Sequence, residues 1–412
     1  MAPQKLPIRI LVVATNEWAS IGQLVAALIK VGFKIAVICP SGSPISDIRD
    51  LAARYEYRSR WSLMSIRAAI ADWKPSLLVC NDDVAIRELH AIYNQARELG
   101  TENPESTALT ELIESSLGDP RSFAVSRSKS RIMSVAKALN IDCPPTIVVN
   151  SHEDIIRHHG RISYPALIKL DHSWGGRGVR LAHNHCELLE AALELSFPSG
   201  WPKPLKQLAA RAVQHLPDRW RTPLPRDVSI QDYVLGRPAN RAVVCWQGRI
   251  LAGISVEAVE TGSEFGPTTL ARIILDRGDL AEATEKIVRN QNLSGFLGFD
   301  FMLDQADRAW FLEMNPRATP TCHLRFKAPS LPASLFSAVT GERPGNDVRE
   351  VPQCMIALFP NRVLQKSRHA YFDDTPAEEP EFRNACKRSR FLRKILGRIK
   401  DATRPRQPLT SE

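Results

Sequence analysis

Two kinds of apolar spacing alternate along the first hundred residues. Ile8 to Ala14 (IRILVVA) is continuously apolar, Ser20 to Val31 carries its apolar residues at helical spacing, and Lys34 to Cys39 (KIAVIC) is continuous again. Gly32 stands where the intervening helix must end. The pattern predicts a βαβ opening, because a parallel strand covered on both faces has no reason to alternate. A further buried run, Leu77 to Cys80, leads through Asn81-Asp82-Asp83 into a helix from about Val84 to Leu99. The alternation continues to about residue 120 and predicts an α/β, doubly wound N-terminal domain over 1–120.

From about Phe123 the pattern becomes α+β, with a helix (Ser130 to Leu139), a Pro144-Pro145 turn, a strand (Thr146 to Val149), a second helix and a strand from Ala166 to Leu170. Residues 196–226 are Pro-rich around a short basic helix and are predicted to form an insertion outside the core. Strands recur at Val228 to Val234, Ala242 to Trp246 and Arg249 to Ser255, the last two joined by a hairpin turn at Gln247-Gly248. This second domain is predicted to span 121–340, leaving 341–412 as a C-terminal extension. Within the extension Phe391, Leu392, Ile395, Leu396 and Ile399 recur at helical spacing among cations, predicting a basic amphipathic helix over about 387–400. Such a helix is either a solvated end or a grip for an anionic membrane surface or a protein partner.

Composition narrows the class. With 44% hydrophobic and 24% charged residues in 412, the chain is long enough for two or three cores and is not disordered. No apolar run approaches the roughly 18 residues of a membrane span, and the first residues enter a strand with no secretory h-region, which predicts a cytoplasmic protein. Eight cysteines without a CxxC pair suggest neither a disulfide framework nor a zinc knuckle. His183, His185 and Cys186 lie close together, but a polar loop explains them as well as a metal does. The net charge of +9 is local: residues 383–406 hold ten Lys or Arg against the single acid Asp401. A near-neutral body argues against a nucleic-acid groove.

The turn after the first strand, Ala14-Thr15-Asn16-Glu17-Trp18, lacks the glycines of a dinucleotide site, and no GxxxxGK[ST] occurs anywhere. Phosphate chemistry is nevertheless suggested by Tyr164-Pro-Ala-Leu-Ile-Lys169, a strand ending in lysine, followed by a loop with Gly175, Gly176 and Gly178. Such a loop lays backbone N–H groups over phosphate oxygens beside a fixed positive charge, although the glycines alone also fit a plain turn. A second feature, Gly298-Phe-Asp-Phe-Met302 followed by Trp310-Phe-Leu-Glu-Met-Asn-Pro-Arg317, reads as two alternating strands joined by the polar turn Asp304 to Arg308. With period two, Asp300, Glu313 and Asn315 share one face and offer hard oxygen ligands suited to Mg²⁺. Two carboxylates facing each other repel unless a cation lies between them.

Together these segments resemble the ATP-grasp superfamily, over roughly residues 123–327, and the first domain is similar to the pre-ATP-grasp domain that usually precedes it. The resemblance implies an α+β fold of two subdomains clasping ATP. By position, it implies that Lys129 and Lys169 contact phosphates and that Gly175, Gly176, Gly178 and Val179 form the glycine loop that covers them. Gln231, Asp232, Tyr233 and Val234 would form the adenine hinge, Asp300, Glu313 and Asn315 the Mg²⁺ or Mn²⁺ site, and Arg317 the arginine that stabilises the phosphoryl group. The chain departs from the pattern at Gln231, where the family often has Glu, in the absence of an acid in Gly236-Arg-Pro-Ala-Asn-Arg241, and in the bulky Asp171-His172-Ser173-Trp174 ahead of the loop.

The activity so implied is that of a ligase of the carboxylate-amine type. ATP converts a small-molecule carboxylate into an acyl phosphate, which an amine, or less often a thiol, then attacks. A carboxylase of the biotin carboxylase type and a non-catalytic ATP-binding or scaffolding protein are the alternatives. Arg241, Glu257, Glu264, the Gly266-Pro267-Thr268-Thr269 turn and His323 are the candidate substrate contacts.

Overall fold

The computed structural model describes residues 7–100, 103–171, 178–196, 228–263, 266–275, 277–352, 354–360 and 370–389. The expected insertion lies almost wholly outside the described residues, as do Gly175, Gly176, Glu264 and the expected tail helix beyond Ser389.

Four parallel strands open the chain: β1 (Arg9–Val13), β2 (Lys34–Cys39), β3 (Ala53–Glu56) and β4 (Leu77–Cys80), in the order β3-β2-β1-β4. Their connections run through α1 (Gly22–Lys30) and α2 (Ser62–Trp73), and α3 (Asp83–Glu98) and α4 (Pro104–Leu117) follow. Asp82 ends the turn after β4 and caps α3 by accepting a hydrogen bond from the Ala85 N–H. Leu11, Val13, Ile38 and Leu78 pack on one face against Ile66 of α2 and Ile86 and Leu89 of α3. The other face, with Ile10, Val12, Ile35 and Val37, joins a larger core described below.

After the short α5 (Phe123–Ser126) comes α6 (Lys129–Ala138), and a four-stranded antiparallel sheet follows. It contains β5 (Thr146–Val149), β6 (Ala166–Leu170), β7 (Val179–Ala182) and β8 (Val228–Asp232), ordered β5-β8-β6-β7. Helices α7 (His152–Arg157) and α8 (His185–Ser196) lie beside it, and Ile155 and Leu188 enter its core.

The remaining strands form one sheet of order β13-β12-β9-β10-β11-β14-β15. They are β9 (Gly236–Trp246), β10 (Arg249–Thr261), β11 (Thr268–Ile273), β12 (Gly295–Asp304), β13 (Ala309–Asn315), β14 (Met355–Ala357) and β15 (Phe372–Asp373). The β9–β10 hairpin turns at Gln247 and Gly248, both at positive φ (49° and 75°), as expected for that dipeptide. One face of this sheet packs on α9 (Gly278–Gln291) and α6, through Phe299, Phe301, Phe311, Ile287 and Ile132. The other contributes Ala242, Val244, Ile254 and Phe296 to the same core as β1, α1 and α10 (Leu331–Thr340). Two differences from the sequence reading follow. The core crosses the boundary expected near residue 120, and the segment beyond 341 supplies β14 and β15 to the large sheet instead of standing apart.

Candidate active site

The hairpin of β12 and β13 sets the geometry. Asp300 lies directly opposite Glu313, and Gly298 opposite Asn315, so alternation puts Asp300, Glu313 and Asn315 on one face. Asn315 donates from Nδ2 to Asp300 Oδ2 at 2.8 Å, and Asn240, paired with Asp300 from the neighbouring strand β9, donates to Oδ1 at 2.6 Å. Asn240 was not legible as a site residue, because only the long-range pairing of β9 with β12 places it there. Its Oδ1 is buried without a hydrogen-bond partner among the described residues, an oxygen left for a cation or a donor.

Lys129 comes to this face from the first turn of α6, its Nζ 2.9 Å from Glu313 Oε2. Lys169, 6% exposed on β6, donates to Gln231 Oε1 at 2.5 Å, and Gln231 in turn donates to Thr146 Oγ1 at 3.1 Å. Ser128, the cap of α6, donates to the buried Asp171 at 2.8 Å, tying the start of that helix to the end of β6. Burial is the largest influence on each of these charges. It pulls Lys169 down to about 8. It also disfavours the charges of Lys129 and Glu313, but their mutual attraction prevails, so Lys129 is raised and Glu313 is held well below the usual carboxylate range, Lys169 assisting the latter. Asp300 is pushed up, by burial and then by the facing Glu313.

Arg317 donates from Nη2 to Asn315 Oδ1 at 3.2 Å and from Nε to Asp83 Oδ2 at 3.1 Å, and its guanidinium lies 5.7 Å from the centre of the Trp18 ring. The Ala318 N–H donates to the Cys80 carbonyl at 3.1 Å and fixes the end of the hairpin against the end of β4. Loops at the carboxyl ends of β1 and β4 thus close over the hairpin, held together by Thr15, which donates through N and Oγ1 to Asp82. In the sequence Asp83 and Trp18 stand only as turn residues.

Of the phosphate loop, Gly178 accepts a hydrogen bond from the Leu170 N–H at 2.8 Å and Val179 opens β7 opposite Lys169. At the expected hinge, Asp232 ends β8, and the Asp232 and Tyr233 N–H groups donate to the Pro145 and Pro165 carbonyls. Val234 follows immediately, past the end of the strand. The substrate candidates need correction. Arg241 and Glu257 point to the opposite face from Asp300, because Asn240 is paired with Asp300 and the next residue on a strand faces away. Arg241 donates to Ser255 Oγ, and Glu257 pairs with Arg272 at 2.9 Å. His323 is buried against Asp374 at 3.0 Å, in the junction with the C-terminal segment. His183 bonds Glu187, and among the described residues no group of three or more His, Cys, Asp or Glu is placed to hold a metal. The hairpin set comprises two carboxylates and two carboxamides.

The fold has well-characterised counterparts. N5-carboxyaminoimidazole synthetase from Staphylococcus aureus, complexed with ADP, superposes with a TM-score of 0.58 at 14% identity, covering 84% of this chain and 81% of that one. The biotin carboxylase domain of Hydrogenobacter thermophilus 2-oxoglutarate carboxylase, in complex with MgADP, ADP and bicarbonate, gives 0.57 at 14%, covering 84% and 73%. Residues 128–199, which include Lys129, Lys169 and the glycine loop, match the family described as carbamoyl-phosphate synthase L chain, ATP binding domain. The chain carries the ATP-grasp fold, with its family sequence match over residues 128–199. Among curated ATP-grasp relatives, the carbamoyl phosphate synthase large chain of Kocuria rhizophila is 24% identical over 228 residues, 54% of this chain but 18% of its own length. The chain therefore spans less than a fifth of that relative. No helix among the described residues is long and apolar enough to cross a membrane.

Proposed function

We propose that this protein is a Mg²⁺-dependent, ATP-dependent ligase that activates a substrate carboxylate as an acyl phosphate for attack by an amine or thiol. The observation that carries the reading is the convergence of Lys129, Lys169 and Arg317 on a face that also holds the opposed carboxylates of Asp300 and Glu313. Three cations suit the phosphates of ATP and the phosphoryl group passing from it to an acceptor, and two carboxylates with the Asn240 oxygen, unpartnered among the described residues, fit a hard divalent ion. When bound, that ion neutralises charge on the phosphate oxygens.

In the first step a carboxylate oxygen of the substrate attacks the γ-phosphorus, the bond to the bridging β,γ-oxygen breaks and ADP leaves. In the second, the amine nitrogen or thiol sulfur attacks the acyl carbon, inorganic phosphate departs and the nucleophile loses a proton. Lys169 and Lys129 hold the phosphates against the hairpin, and Arg317, fixed by Asp83 and Asn315, faces the transferred group. Bicarbonate as the activated carboxylate is the second reading, motivated by the bicarbonate-bound carboxylase domain of like fold.

The test is a Mg-ATP ADP-release screen against paired panels of carboxylic acids and amines, with bicarbonate as one acid. Glu313→Gln is expected to abolish substrate-stimulated ADP release while a folded protein remains by circular dichroism. Its cost in stability, from leaving Lys129 without its carboxylate, is about 1–3 kcal/mol. Full turnover in that variant removes the metal assignment, and silence of the parent protein across a broad panel removes the ligase reading.

A further inference from the structure

Charge pairing around the hairpin leaves a remainder. A cavity of about 160 Å³ beside β13 is lined by Asp83, Arg87, Arg127, Lys129, Glu313 and Asn315. Lys129 is taken by Glu313, and Asp83 by Arg317. Arg87 and Arg127 stay in excess. The Arg127 side chain has no hydrogen bond or close ion pair with any described residue, and the acid that attracts it is the already engaged Asp83. Among the described residues Arg87 makes one ion pair, a 3.7 Å contact with Glu88, whose carboxylate also accepts the Tyr57 hydroxyl at 2.9 Å. Burial first, and then the like charge of Arg87, lower the pKa of the Arg127 guanidinium, so the pair is held in mutual repulsion at half-depth. Two converging guanidinium groups of this kind are the donor set that planar or tetrahedral oxyanions require.

We propose that Arg87 and Arg127 form an anion subsite, which grips a carboxylate or phosphate group of the acceptor substrate away from its reacting atoms. The ligase reading assigns this anion its place in a reaction, but the subsite itself is a binding property. Arg87 lies on the first turns of α3 and Arg127 two residues before Lys129, so the subsite joins the N-terminal α/β unit to the segment that carries Lys129 and selects the substrate while the hairpin activates it. The substrate class is thereby narrowed to molecules with an anionic group in addition to the group that reacts.

The full-length protein, R127A, R127K and R87A are titrated with inorganic phosphate and with acetate at fixed ionic strength, and separately with Mg-ADP. The loss of a charge-assisted contact is expected to weaken anion binding about tenfold to a hundredfold in R127A. R127K, which keeps the charge but not the fork, falls between, and Mg-ADP affinity is unchanged throughout. Tighter phosphate than acetate binding by the parent assigns the anion to a phosphorylated substrate, and the reverse order to a carboxylate. Equal anion binding by the parent, R127A and R87A, or none by the parent, overturns the subsite. Absence of Mg-ADP binding by the parent defeats the ligase reading instead, and leaves the anion titration to decide the subsite.

Discussion

A lysine sealed into a strand loses the water that makes its ammonium favourable, and among the described residues Lys169 replaces that water with a hydrogen bond to Gln231. Its pKa falls from 10.5 to about 8. A lowered lysine pKa means that between pH 8 and 10.5 the unfolded chain holds a proton the folded one has released. Stability from this group therefore rises with pH across that window, and at pH 7 the buried charge costs about 3 kcal/mol. Lys169→Met lacks the proton, so its stability relative to the parent should be about 2.5 kcal/mol more favourable at pH 7 than at pH 10. Urea unfolding of both proteins at the two pH values measures it, and parallel pH profiles would refute the assignment. A protein that tolerates such a cost in its resting state has a use for the charge, and a bound polyphosphate is the natural counter-ion.

At the scale of elements, what the sequence shows depends on how far apart the interacting residues lie. The β12–β13 hairpin could be read because its alternation and its polar turn are local, and Asp300, Glu313 and Asn315 do fall on one face. Strand β9 could be read only in its second half, Ala242 to Trp246. Its first half, from Gly236, also pairs with β12, and that pairing alone brings Asn240 to Asp300. The same register removes Arg241 from the site, one residue and one face away, a parity that composition does not reveal. Strands of two or three residues such as β14 and β15 exist only through their partners, and His323 is claimed by Asp374 from a segment 51 residues later. Asn240→Ala tests the register directly. Losing its 2.6 Å bond leaves Asp300 harder to ionise, since burial and Glu313 already push its pKa up. The Mg²⁺ concentration for half-maximal stabilisation in the presence of ADP should rise about tenfold, the equivalent of one charge-assisted hydrogen bond. An unchanged Mg²⁺ requirement places Asn240 outside the site.

On the scale of the whole molecule, the C-terminal segment holds the two halves together. Residues 380–389 form a helix whose Phe382 is fully buried against α1. The contact depends on Gly22, because a Cβ there would lie 2.1 Å from the Phe382 ring. Phe359 meets the same ring edge-on at 5.8 Å, Gln23 donates to the Asp374 carbonyl at 2.7 Å, and the Arg49 N–H donates to Glu379. The first sheet, the large sheet and this segment thus share one core, which includes Leu24 and Leu28 of α1. A truncation at residue 383, just past Phe382, removes the rest of that helix, including the buried Ala385 and Cys386, and so injures the fold. A truncation after Ser389 keeps Phe382, Ala385 and Cys386. Phe382→Ala is expected to cost about 3–5 kcal/mol, the usual penalty for an emptied aromatic site, and to loosen the loops that hold Arg317. The chain ending at Ser389 should instead unfold at the same denaturant midpoint as the full chain and bind Mg-ADP equally well. Chemical denaturation of the three proteins decides between the alternatives. If Phe382→Ala and the full chain melt together, the C-terminal segment is an appendage and the first domain is held to the large sheet by its other contacts alone.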